Sequence, residues 1–170
     1  MKKIVIVFFL LFLTAFSSKG AIEELKEDYP EEVKKVAESL PVKIQNELAA
    51  PKKLPFDIEG VKFSYAGNPP GDPKGEIIHT EFMYAGEEGN LHITTHHAKN
   101  ISFTPDDKHL KTVDLKDGTK AFIEGESESS KSIRWKKNGR YYSIMLIQDP
   151  KIEQKYTIKD LVEIADSMEY

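Results

Sequence analysis

The segment Ser132-Ile-Arg-Trp-Lys-Lys-Asn-Gly-Arg-Tyr-Tyr-Ser-Ile-Met145 decides the fold, because it predicts a β-hairpin with a defined register. Asn138-Gly139 is a pair favoured in two-residue type I′ turns, whose twist matches that of the flanking strands. With this turn, three cross-strand pairs share one face: Lys137 with Arg140, Trp135 with Tyr142, and Ile133 with Ile144. The opposite face is mainly polar and carries Arg134, Lys136, Tyr141 and Ser143. The segment therefore predicts two half-buried strands of an antiparallel sheet.

Further strands are predicted on the N-terminal side of this hairpin. Residues 61–65 alternate between apolar and polar side chains, and residues 76–84 and 90–98 are β-rich runs joined by Gly86-Glu-Glu-Gly-Asn90. Asp117-Gly118 predicts another hairpin, in which Val113 pairs with Phe122 and Thr112 with Ile123. Residues 68–75 are rich in proline and glycine, and residues 99–110 contain the turn Pro105-Asp106-Asp107, so both stretches are predicted to be loops.

Helices are predicted at both ends of the sheet region. The segment Thr157–Met168 has an apolar stripe, and Thr157 with Asp160 fits a capping box with aspartate at the third position. Near the N-terminus, apolar residues recur at helical spacing: Ile22, Leu25, Tyr29, Val33, Val36 and Leu40. Asp28 and Pro30 predict a cap and a helix restart, and residues 42–49 predict a short helix after Pro41. We expect a helical segment over residues 21–50 and one domain of sheet plus C-terminal helix over residues 54–170.

The first twenty residues have the layout of a secretory signal peptide. Lys2-Lys3 precede an apolar run, Ile4–Phe16, and small residues follow it. Cleavage after Ser17 and cleavage after Gly20 both fit, and we favour the second, which assigns residues 1–20 to the signal peptide. Retention of this segment as a membrane anchor stays open, because the two kinds of segment overlap in length and composition. The expected location is therefore outside the cytoplasm, either secreted or in the cell envelope.

Charge and composition limit the classes of partner that the domain can bind. The formal net charge is −4 over 170 residues, and removal of Lys2, Lys3 and Lys19 with the leader changes it to −7. An acidic domain is repelled by nucleic acid and anionic lipid, so we expect no nucleic-acid partner and membrane contact only through an uncleaved leader. The absence of cysteine excludes a disulfide framework.

Three segments resemble the DUF4367 family of extracytoplasmic domains, which are common in Gram-positive bacteria and largely of unknown function. They are the hairpin Trp135–Ile144, the helix Thr157–Met168, and Lys53-Leu-Pro-Phe-Asp57 before the first strand, so the similarity covers roughly residues 54–169. The resemblance implies a curved antiparallel sheet with a helix against it and implies no catalytic residues. The predicted fold class is thus α+β: a curved antiparallel β-sheet of about six to seven strands, an N-terminal helical segment and a C-terminal helix packed on the sheet.

Histidines are the most conspicuous candidates for chemistry: His79, His92, His96 and His97. Zinc needs three or four converging ligands, but His96 and His97 point to opposite faces of a strand, and His92 lies about 13 Å from His96 along it. We expect solvent-facing histidines and no metal site, although a cross-strand pair with His79 stays possible.

Serines and carboxylates give no catalytic motif. Ser127, Ser129, Ser130 and Ser132 lie in a polar segment without a nucleophile elbow. The acidic pairs Glu87-Glu88, Asp106-Asp107 and Glu126/Glu128 lack calcium-loop spacing. No catalytic residue, cofactor or metal ligand is therefore predicted.

We expect an exported, non-enzymatic domain that binds another envelope or extracellular protein or serves as an accessory sensor. An alternative is a carrier of an apolar ligand such as a lipid, held in a groove between sheet and helix and lined by the aromatic residues of the sheet. A hydrolase with catalytic residues dispersed along the chain is a weaker alternative.

Overall fold

A computed structural model describes residues 19–98, 110–153 and 155–170. Residues 1–18 of the predicted leader and the turn Pro105-Asp106-Asp107 therefore fall outside the described residues. The helices are α1 (Ala21–Asp28), a π-helical turn Pro30–Lys34 that continues into α2 (Lys35–Ser39), α3 (Val42–Gln45) and α4 (Ile158–Asp166). The strands are β1 (Ala50–Pro51), β2 (Gly60–Asn68), β3 (Glu76–Gly86), β4 (Gly89–His96), β5 (Thr112–Asp114), β6 (Lys120–Glu126), β7 (Ser130–Lys137), β8 (Arg140–Gln148) and β9 (Met168–Glu169).

Seven of these strands form one antiparallel sheet in the order β2-β3-β4-β8-β7-β6-β5, and the short strands β1 and β9 pair separately. The sheet is open rather than closed into a barrel, which fits a curved sheet. The α+β prediction is confirmed, with the N-terminal helical segment and the C-terminal helix in place. Helix α4 packs on β7 and β8.

The deciding hairpin has the predicted register. Lys137 pairs with Arg140, Trp135 with Tyr142, and Ile133 with Ile144. Asn138 and Gly139 both have positive φ, 52° and 80°, as a type I′ turn requires. Trp135 is fully buried and stacks on Tyr142 with 5.8 Å between ring centroids.

The other hairpin register was predicted wrongly by one residue. Thr112 pairs with Phe122 and Val113 with Ala121. The loop is longer than a two-residue turn, because the amide of Leu115 donates to the carbonyl of Thr119 across Lys116-Asp117-Gly118. In the observed register Lys120 faces Asp114, with which it forms a 2.9 Å ion pair.

Both helical regions close the same face of the sheet. The helix restart at Pro30 is confirmed, but Asp28 is not its cap, because it is the last residue of α1 and Tyr29 precedes the restart. In α4 the carboxylate of Asp160 accepts hydrogen bonds from the amide and hydroxyl of Thr157, as the capping pattern predicted. The carboxylate of Glu169 in β9 accepts a 2.7 Å bond from the amide of Ala21, which ties the first helix to the end of the chain.

We call the face that packs against the helices the inner face. A row of apolar side chains crosses it through Phe82, Ile93, Ile144 and Ile133, all at most 2% exposed. The opposite face, which we call the outer face, carries the alternate residues of the same strands.

Candidate functional site

Three neighbouring strands place two methionines, a histidine and an isoleucine close together on the outer face. Met83 of β3 lies opposite His92 of β4, and His92 lies opposite Met145 of β8. Ile147 follows two residues after Met145 and therefore points to the same face. We call these four residues the methionine patch.

The two β8 residues of the methionine patch are exposed although their side chains are apolar. Met145 is 37% exposed and Ile147 39% exposed, whereas the apolar residues that alternate with them on β8 are buried. The Nδ1 atom of His92 lies 3.0 Å from a carboxylate oxygen of Glu81, and exposed Lys62 lies opposite Met83 on edge strand β2. The patch thus has apolar side chains on both sides of His92, a carboxylate close to that histidine, and a cation at its edge.

Two other histidines meet on the outer face. His79 and His96 are cross-strand partners, and their ring centroids are 5.9 Å apart. Burial, followed by the neighbouring His79, Arg134 and His97, lowers the pKa of His96 to about 4. At neutral pH this side chain is an uncharged imidazole.

His97 differs from the prediction of a solvent-facing histidine. Its side chain is only 1% exposed and lies on the inner face. Nε2 is 2.9 Å from the hydroxyl of Thr80, and Nδ1 is 3.1 Å from a carboxylate oxygen of Glu47. The other carboxylate oxygen of Glu47 pairs with the guanidinium of Arg140. We call Glu47, Thr80, His97 and Arg140 the inner clamp, because it joins the segment after α3 to strands β3, β4 and β8.

The tautomer of His97 follows from its surroundings. Burial lowers the pKa of His97, against the opposing effect of its hydrogen bond to Glu47. The neutral ring donates from Nδ1 to the carboxylate of Glu47, so Nε2 is the acceptor for the hydroxyl of Thr80. The resulting order of hydroxyl, imidazole and carboxylate is that of a nucleophile activated by a base.

The position of Thr80 argues for a structural role of the inner clamp. Thr80 is 2% exposed, so a substrate in solution does not reach its hydroxyl. The sequence interpretation missed this arrangement because Glu47, Thr80 and His97 lie far apart along the chain. The one signal in the sequence was His97 itself, a histidine at an inward-facing position just after a strand.

The serine and acidic segments have local structural roles. Ser127 and Ser130 bond to each other across the turn between β6 and β7. Glu88, in the turn between β3 and β4, accepts a hydrogen bond from Tyr156. Glu126 lies opposite Lys131. The pair Asp106-Asp107 lies outside the described residues.

Side chains fill most of the space between α4 and the sheet, and a cleft of about 340 Å³ lies at the C-terminal end of α4 beside Ala165, Asp166 and Tyr170. Trp135, Tyr142, Leu161 and Ile164 are all at most 2% exposed there. The indole Nε1 of Trp135 donates a 3.1 Å hydrogen bond to the hydroxyl of Tyr170. Clefts in the described part of the molecule have volumes from about 190 to about 430 Å³.

No helix within 19–98, 110–153 and 155–170 is long and apolar enough to cross a membrane. No group of three or more histidine, aspartate or glutamate side chains in that part of the chain could hold a metal ion. The expected absence of a zinc site stays a prediction, which metal analysis of untagged protein would test.

Comparison with known proteins finds no matching family model, no matching curated protein and no matching solved structure. The resemblance to the DUF4367 family therefore stays a prediction.

Proposed function

We propose that the protein is an exported, non-enzymatic domain that binds another envelope or extracellular protein through the methionine patch. The observation that carries this proposal is the exposure of Met145 and Ile147 at the centre of the sheet. Helices cover the inner face, so the outer face is the one that a partner protein can contact. An accessory sensor domain would use the same surface to contact its signalling partner.

The composition of the patch supports a protein partner. Methionine is flexible and polarizable, and it adapts to irregular protein surfaces. Exposed apolar residues clustered within polar surroundings are typical of interaction sites on soluble domains. Because Glu81 is already paired with His92 and Lys62 stands at the edge, the complementary partner presents apolar side chains beside a carboxylate.

Export rests on the N-terminal sequence. The basic start and the run Ile4–Phe16 support passage across a membrane, after which the mature chain begins near Ala21. Sequencing the N-terminus of the protein found outside the membrane tests this part separately. A full-length species held in the membrane fraction would contradict it.

The two alternative functions have less support. The hydroxyl–imidazole–carboxylate arrangement that the described residues form uses the hydroxyl of Thr80, which is buried. A lipid carrier with its groove under α4 would have to displace the side chains that fill that space, including Trp135 and Leu161.

Photo-crosslinking in the producing cell tests the proposal. A crosslinking amino acid replaces Asn90, which is exposed and lies opposite Ile147. We expect a discrete adduct with a different protein, and we expect Met145→Asp in the same chain to abolish it. Val42→Asp is the matched control, because Val42 is an apolar residue 69% exposed on α3, and it should leave the adduct unchanged.

Three outcomes would overturn the proposal. The adduct could survive Met145→Asp, or disappear equally with Val42→Asp. An adduct of twice the protein's own mass would show that the crosslinked partner is a second copy of this chain and not a different protein.

A further inference from the structure

The methionine patch holds three side chains with metal-binding atoms in one row across the sheet. Met83 of β3 and Met145 of β8 lie directly opposite His92 of β4, one on each side, so all three share the outer face. Met145 is 37% exposed, and Met83 and His92 are partly exposed. An ion in solution therefore has access to this row.

The two methionine side chains are able to converge over the histidine ring. Neighbouring strands are about 4.8 Å apart, so the backbones of Met83 and Met145 are separated by about 10 Å with His92 midway. A methionine side chain has three rotatable bonds, which lets each sulfur lean across one strand spacing. Two thioether sulfurs and one imidazole nitrogen thus come within reach of a common point above β4.

Glu81 determines which nitrogen of His92 is free to bind an ion. The Nδ1 atom of His92 lies 3.0 Å from a carboxylate oxygen of Glu81. Since an ionised carboxylate only accepts hydrogen bonds, the neutral ring carries its proton on Nδ1 and its lone pair on Nε2. Histidines that bind metals are usually held in this way, by a carboxylate on the nitrogen that does not bind the metal.

The ligand atoms favour a soft cation. Thioether sulfur selects Cu(I), whereas Ca²⁺ and Mg²⁺ prefer oxygen ligands and zinc prefers thiolate, imidazole and carboxylate. The chain has no cysteine, so methionine supplies its only sulfur ligands. The nearest cation by register is Lys62, which lies opposite Met83 on the side away from His92 and is exposed, so solvent screens its charge.

We infer that Met83, His92 and Met145 bind one Cu(I) ion through two thioether sulfurs and the Nε2 atom of the imidazole. This inference goes beyond the proposed protein-binding function and does not rest on it, although both use the methionine patch. The two are separable, because the ion requires sulfur at positions 83 and 145, whereas a protein partner requires only an apolar surface there.

NMR of the methionine methyl groups locates the ion. The purified protein, labelled with ¹³C at these methyl groups, is titrated in chloride-free buffer with Ag(I), a redox-stable ion with the ligand preferences of Cu(I). We expect the resonances of Met83 and Met145 to shift together and to saturate at one Ag(I) per chain. Met168, which is 8% exposed in the core, is the internal control and should not shift.

Substitutions that remove the ligand atoms test the Cu(I) affinity. A colorimetric Cu(I) chelator competes with the protein under nitrogen, with ascorbate to keep the ion reduced. Met83→Leu and Met145→Leu conserve side-chain volume, so the fold should survive, and each should weaken binding at least tenfold. His79→Gln is the matched control, because His79 is an outer-face histidine that pairs with His96 outside the row, and it should leave the affinity unchanged.

Three results would contradict the inference. Ag(I) could shift only one of the two methionine resonances or neither, or Met145→Leu could bind Cu(I) as tightly as the wild type. Equal weakening by His79→Gln and Met145→Leu would place the ion at the histidine pair instead.

The crosslinking experiment keeps this inference apart from the proposed function. Met145→Leu retains an apolar side chain, so it should lose Cu(I) binding and still give the photo-crosslinked adduct. A wild-type protein that forms the adduct but binds no Cu(I) would contradict the metal site alone. A protein that binds Cu(I) but forms no adduct would contradict the protein partner alone.

Discussion

Trp135 shows at the scale of one residue how the hairpin and the C-terminal segment depend on each other. Its ring stacks on Tyr142 of the neighbouring strand, and its indole nitrogen donates to Tyr170 beyond α4. Burial raises the pKa of Tyr170 to about 12, so this hydroxyl stays protonated at physiological pH. One side chain therefore joins β7, β8 and the end of the chain.

Replacing this residue should destabilise the protein strongly. Trp135→Ala removes a fully buried aromatic side chain and leaves a cavity, so we expect it to lower the free energy of unfolding by about 3–5 kcal/mol. Urea unfolding measures the loss. Because the chain has a single tryptophan, native fluorescence reports its burial directly. A red-shifted native emission, or an unchanged urea midpoint in the variant, would show the packing to be wrong.

Lowering the pH should reduce the free energy of unfolding, because the fold lowers the pKa values of His96 and His97. The pKa of His96 is about 4 in the folded protein and about 6.5 in an unfolded chain, so between these values the unfolded state binds more protons. Its contribution to stability is present above about pH 6.5 and is lost as the pH falls towards 4. His97 contributes with the same sign. An NMR titration should place the His96 midpoint near 4, and a midpoint near 6.5 would contradict the burial.

Local sequence predicted Trp135 well and His97 badly, for a physical reason. The Asn138-Gly139 turn sets the register of its own strands, so the pairing of Trp135 with Tyr142 can be derived from a few neighbouring residues. The environment of His97 depends on Glu47, which lies 50 residues away, and no local pattern encodes that contact.

At the scale of elements, the inner clamp holds the N-terminal helical segment on the sheet. Glu47 follows α3 and reaches both His97, at the end of β4, and Arg140, at the start of β8. Its side chain is only 10% exposed, so its charge depends on these partners for stabilisation. The inner clamp thus adds polar interactions to the apolar packing that holds the helices on the sheet.

Glu47→Gln should weaken the inner clamp. The variant removes the charge that balances Arg140, so we expect the free energy of unfolding to fall by about 1.5–3 kcal/mol, the range for hydrogen bonds to charged groups. Hydrogen exchange of residues 21–48 should also become faster. Glu81→Gln, which removes the charge of the carboxylate that contacts His92 on the outer face, is the control and should change stability by less than about 1 kcal/mol. Equal losses in the free energy of unfolding for the two variants would contradict a stabilising role of the inner clamp.

Element boundaries were predictable where a turn or cap acts locally. The capping of α4 by Thr157 and Asp160 involves residues three apart, and it was found in the sequence. The register of β5 and β6 was missed because Asp117-Gly118 resembled a two-residue turn, whereas Leu115 and Thr119 bond across a longer loop. Strand periodicity alone does not distinguish these two loops.

At the scale of the whole molecule, the helices give the sheet two different faces. Both helical segments pack on the inner face, so apolar residues there are buried, whereas Met145 and Ile147 on the outer face stay exposed. Periodicity predicted the antiparallel sheet and its closing helix. The exposed patch could not be predicted, because it depends on which face the distant helical segment covers.

The methionines supply the most direct test of the proposed binding surface. Met83 and Met145 belong to the methionine patch, whereas Met168 is 8% exposed in the core and serves as an internal control. Dilute peroxide converts accessible methionine to its sulfoxide, which peptide mass spectrometry quantifies residue by residue. We expect Met145 to oxidise several-fold more slowly in the producing cell than in purified protein, with Met168 unchanged. Equal oxidation of Met145 in the two settings would contradict a partner bound at this surface.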